Sequence, residues 1–61
     1  GNLATFPRLV LNKGVALTKL GDNVSARKYL HQAITIFDAM QKENTVQHII
    51  AWCKDNCNFE I

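Results

Sequence analysis

His48, Cys53 and Cys57 are the side chains of this sequence best suited to chemistry: an imidazole and two thiols close together, the thiols four apart so that a helix would set them on one face. Structural zinc takes four such ligands, commonly paired at spacings of about two to four residues. The set is one ligand short unless His31 reaches across. Cys53 is therefore expected as a small core hydrophobe and Cys57 as a thiol at a helix end. A C-x-x-C pair is lacking, and a bridge between residues four apart within one helix would strain disulfide geometry. Reduced thiols and a cytoplasmic setting follow as the expectation. The acids are scattered, no Ser-His-Asp or Cys-His set can be placed, and Gly14 and Gly21 do not form a phosphate-cradling loop. No enzyme activity, metal or cofactor is expected.

Charge is a second source of chemistry, and it is unevenly spread. Residues 1–31 carry Arg8, Lys13, Lys19, Arg27 and Lys28 against Asp22, a net of +4; residues 32–61 carry a net of −2, and the chain totals +2. Such asymmetry favours an acidic partner or head-to-tail packing. Ser25, Arg27 and Lys28 open a helix that follows a glycine turn, as in a helix-turn-helix that reads DNA. Against this, the same helix is apolar along four turns and the basic excess is modest. Nucleic acid is expected only through a domain outside this sequence.

These side chains must be held by a small all-α domain. Sixty-one residues allow one domain, and eighteen are Leu, Ile, Val or Phe, enough to fold. No run approaches the ~20 apolar residues of a membrane span, and no membrane partner is expected. Three amphipathic helices are predicted, at about 6–20, 24–41 and 45–57, within a single unit 1–61. Thr5 followed closely by Pro7 suits a helix start, since proline's missing N–H costs nothing in a first turn. Phe6, Leu9, Val10, Gly14, Leu17 and Leu20 share one face of the first helix, and Arg8, Leu11, Asn12, Val15 and Lys19 another. Gly21 suits a left-handed cap, with Asp22 or Asn23 capping the next helix. Ala26, Tyr29, Leu30, Ala33, Ile36, Phe37 and Met40 stripe the second helix. Asn44 and Gln47 have the spacing of a capping box, and Val46, Ile49, Ile50, Cys53 and Cys57 stripe the third helix, with Trp52 beside them. Residues 58–61 read as a frayed tail.

A unit this small buries little surface, and its first residue is Gly1 rather than Met, so it reads as a piece of a longer protein or as a self-associating unit. Ile36, Phe37, Met40, Ile49 and Trp52 are the apolar residues expected to exceed what three helices can cover. A two-fold dimer or packing against the rest of its chain is expected to bury them.

Val10, Asn12-Lys13-Gly14, Leu17, Gly21-Asp22, Ala26, Leu30 and Ala33 together resemble a tetratricopeptide repeat, in which small residues let paired helices approach and large ones fill the gap beside them. Lys13 stands where that family prefers Leu, and Asp38 where proline often closes the repeat. The resemblance implies a helical hairpin followed by the first helix of a next repeat, where Ile50-Ala51 echoes the apolar-small pair. The segment Tyr29-Leu30-His31-Gln32-Ala33-Ile34-Thr35-Ile36-Phe37 is also similar to the C-terminal repeats of bacterial peptide-sensing transcriptional regulators. A non-enzymatic module that binds a peptide or protein is implied. Asn12 is the expected contact to a peptide backbone, since an amide side chain both donates and accepts. Arg8 and Lys19 would hold a carboxylate. A small DNA-binding domain and a purely structural dimerising fragment are the competing classes.

Overall fold

The computed structural model describes residues 2–57 and 59, with side chains from residue 6 onward, and these residues are all-α. The chain-adjacent helices α1 (Asn2–Leu20), α2 (Asn23–Ala39) and α3 (Glu43–Asn56) are joined by two tight turns.

Both turns have the same construction. At the end of α1, Gly21 N donates to Thr18 O at 3.1 Å and Asp22 N to Leu17 O at 3.0 Å, with Gly21 at φ +85°. At the end of α2, Gln41 N donates to Asp38 O at 3.0 Å and Lys42 N to Phe37 O at 2.9 Å, with Gln41 at φ +60°. This is the Schellman pattern, which satisfies carbonyls that a helix end leaves unpaired. It occurs twice, twenty residues apart, and the residues after it, Asp22 and Lys42, have similar backbone angles and each caps the helix that follows.

The burial pattern carries the same spacing. Ala26, Leu30 and Ala33 of α2 are fully buried, and Val46, Ile49 and Cys53 of α3 are buried, so Ala26 corresponds to Val46 and Ala33 to Cys53. From α1, Pro7 and Gly14 face inward. A Cβ on Gly14 would lie 2.8 Å from Leu30 Cγ and 3.1 Å from the Leu30 backbone nitrogen. Here α1 and α2 approach most closely, and only glycine leaves room. Thr18, one turn on, satisfies its hydroxyl within α1 by donating to Gly14 O at 3.0 Å.

The structure corrects several sequence expectations. Helix α1 begins at Asn2 rather than at Phe6, and Pro7 lies inside it. A proline this close to the helix start forfeits a single backbone bond, the one its N–H would have made to Leu3; the side chain of Thr5, the expected start signal, lies outside the described residues. Phe6, Leu9 and Leu20, expected on one face of α1 with Val10, Gly14 and Leu17, are 60%, 61% and 80% exposed, while Leu11 and Val15, expected on the other face, pack against the core of Leu30, Ile49 and Cys53. The inward face is instead marked by buried Pro7 and by Gly14, where α1 and α2 approach most closely. Helix α2 closes at Ala39 rather than Gln41, because Gln41 turns left-handed. The Asn44–Gln47 capping box does not form: Lys42 is the N-cap of α3, without a side-chain cap bond. Helix α3 closes at Asn56 and leaves Cys57 extended. Of the expected frayed tail, residues 58, 60 and 61 lie outside the described residues, and Phe59 packs against the core.

Candidate partner-binding groove

Gly14 lies against Leu30 of α2, and Leu11 and Val15 lie on the side of α1 that faces α3. From α3, Thr45, His48, Ile49 and Trp52 complete an apolar groove with them. A second depression, lined by Arg8, Leu11, Phe37, Met40, Lys42 and Thr45, shares Leu11 and Thr45 with the first. The two therefore run on as one surface along the α1–α3 side. Its ends differ in chemistry. Arg8 and Lys42 place two cations at the end where α3 begins, and Trp52 offers a broad half-buried ring further along. Beyond Trp52 the helices meet again, with Thr18 Oγ1 3.9 Å from Cys57 Sγ.

Residues expected from the sequence to bind a partner and those expected to self-associate are thus brought to one place. Arg8, Leu11 and Val15 of the first set meet Phe37, Met40, Ile49 and Trp52 of the second. Asn12 and Lys19 are exposed on α1 but do not line the groove, and Ile36 is half-buried away from it. Of the second set, Phe37 and Trp52 pack against the core and Ile49 belongs to it. The large apolar side chains left standing in solvent are instead Phe6, Leu9, Leu20 and Val24. Thr45 and Lys42 were not singled out from the sequence, because the second turn repeats the backbone of the first without its Gly-Asp pair. Lys13, in the position where a tetratricopeptide repeat prefers Leu, sets its ammonium 4.7 Å from the centroid of the Tyr29 ring, an apolar stem with a cation–π cap.

The thiols behave as their positions dictate. Cys53 is 2% exposed, and its thiol is pushed up to about 12, by burial first and by the neighbouring Cys57 thiol second. A thiol in that state is not a thiolate nucleophile near neutral pH. Among the described residues, no group of three or more His, Cys, Asp or Glu side chains converges as a metal site would require. His48 lines the groove while His31 lines a separate depression on α2 with Val24, Arg27, Lys28 and Gln32. Compared with known proteins, the chain matches no family model, no curated protein and no solved structure.

Proposed function

We propose that this chain is a non-enzymatic helical interaction module, similar to a tetratricopeptide repeat, that takes an extended peptide or partner-protein segment into the α1–α3 groove. The observation that carries this reading is the groove's composition: a continuous apolar floor of Leu11, Val15, Ile49 and Trp52 with Arg8 and Lys42 at one end. An extended segment with apolar side chains and one acidic group matches that pattern of shape and charge. The tetratricopeptide resemblance adds Asn12, exposed on α1 outside the groove lining, as the amide that would bond the backbone of such a segment. The wider proposal is a cytoplasmic module of a peptide-sensing regulator, one that pairs with itself or with the rest of its chain, and it rests on the sequence resemblance alone.

The test is selection from a random peptide library displayed on phage, followed by calorimetry of the enriched peptides. Peptides rich in apolar residues with an acid should emerge. They should quench or shift Trp52 emission and lose affinity, by about 1–3 kcal/mol, with Asn12→Ala or Arg8→Ala. Peptides that bind both variants as tightly as the parent, or no enrichment at all, would remove the groove as the site.

A further inference from the structure

The α1–α2 turn leaves two aliphatic side chains without cover. Leu20 is 80% exposed and Val24 is 86% exposed, the highest values among the large apolar side chains in solvent. They flank a tip in which Gly21, Asp22 and Asn23 are exposed as well. Among the described residues the turn does not rely on them: the Schellman bonds and the Asp22 cap on Ser25 N, at 3.3 Å, are made by the backbone and by Asp22. Burial is what an isolated Leu or Val gains most from, so two of them projecting from a small domain call for an occupant.

The surroundings say which kind. Lys19, in the last turn of α1, is exposed, and Lys28 and His31 share with Val24 and Arg27 a shallow depression on α2. Asp22 is the single acid in this stretch, and its carboxylate is engaged by the Ser25 amide. The tip therefore combines exposed aliphatics with surrounding cations, within the half of the chain that carries +4. A second copy is a poor occupant, since the apolar groove that could receive the tip carries Arg8 and Lys42, and like charges would face each other. A deformable acidic surface covers the aliphatics and matches the surrounding charge.

We propose that this tip docks on anionic lipid surfaces: Leu20 and Val24 enter the headgroup boundary while Lys19 and Lys28 lie against acidic headgroups. Apolar insertion and electrostatic attraction are each weak alone and sufficient together. Contact of this kind is interfacial and needs no spanning segment; among the described residues no helix is long and apolar enough to cross a membrane. The expectation of no membrane partner rests on the lack of a spanning apolar run, which an interfacial contact does not need.

The experiment is co-sedimentation of the whole chain with vesicles of phosphatidylcholine alone and of phosphatidylcholine mixed with phosphatidylserine. Binding should appear only with the mixed vesicles and fall as salt is raised. Leu20→Ser with Val24→Ser should reduce partitioning about tenfold or more, and Lys19→Gln with Lys28→Gln by a similar factor. All four positions are exposed, so unchanged helicity by circular dichroism separates lost binding from lost folding. Equal binding to both vesicle types, no binding to either, or a serine double variant that partitions like the parent would overturn the proposal. So would binding to duplex DNA in place of vesicles, retained by the serine variant, or self-association abolished by that variant without vesicle binding.

Discussion

At the scale of single residues, the tightest point in the molecule is Gly14 against Leu30. A methyl group there would overlap Leu30 Cγ and Cδ2 at 2.8 and 2.9 Å and press on the Leu30 backbone, which cannot rotate away. Gly14→Ala should therefore destabilise by about 1–3 kcal/mol despite alanine's better helix propensity, read as a lower midpoint in urea. Ala33→Leu, at a fully buried small position, should cost about as much by the same measurement. A different response is expected from Cys53. Its thiol is raised from the ordinary 9.0 to about 12 by burial, so the neutral form is the one that the fold favours. The stability it contributes is complete below pH 9 and is lost as pH rises from about 9 through about 12. Urea melts over that window should show a decline that is shallower in Cys53→Ala, the difference isolating the thiol from Lys and Tyr titration. Much of this was legible in the sequence: the small-large-small order of Ala26, Leu30 and Ala33, and Cys53 on the inward stripe, are where the spacing puts them. Leu20 and Leu9 were not legible. Helix α1 is apolar around most of its circumference, and the residues that mark its buried line, Pro7 and Gly14, contribute little hydrophobicity themselves.

At the scale of elements, the two turns make a controlled comparison within one chain. Each places a residue in the left-handed region and then an N-cap, but Gly21-Asp22 suits those conformations and Gln41-Lys42 does not. Gln41→Gly should stabilise on the order of 0.5–1 kcal/mol, the relief of the left-handed backbone less the added freedom of the unfolded chain. Lys42→Asp should add about 1 kcal/mol more by supplying the missing cap bond and by placing a negative charge at the start of α3. Thermal melts of the single variants check both; a melting temperature unchanged by either would mean that the second turn tolerates its residues without cost. The three helices and the first turn could be read from glycine, the cap residue and the stripe. The start of α3 could not, because Asn44 and Gln47 offer a local cap signal that the hydrogen bonds of the preceding turn overrule.

At the scale of the whole molecule, the helices are not equally held. Helices α1 and α2 lie against each other along their lengths, whereas α3 touches α2 over a smaller region and meets α1 mainly through the groove side chains. Local opening follows such differences in packing. Amide hydrogen exchange should accordingly be faster in α3 than at Leu30 and Ala33, and a peptide bound in the groove should slow α3 most. Uniform exchange across the three helices would instead indicate a single cooperative unit.

The scarcity of backbone contact between α1 and α3 has a kinetic consequence. Every extensive contact joins helices that are neighbours along the chain, and the joints are turns of two residues (21–22) and three residues (40–42). Little loop entropy has to be lost before contacts form, so relaxation after a temperature jump should fall in the microsecond-to-millisecond range common to helical domains of low contact order. The Gly21 turn brings Gly14 to Leu30 early, and Trp52 rides on the helix that docks last. Its fluorescence should then trail the main rise of helicity, which makes the single tryptophan a clock for the final step of folding.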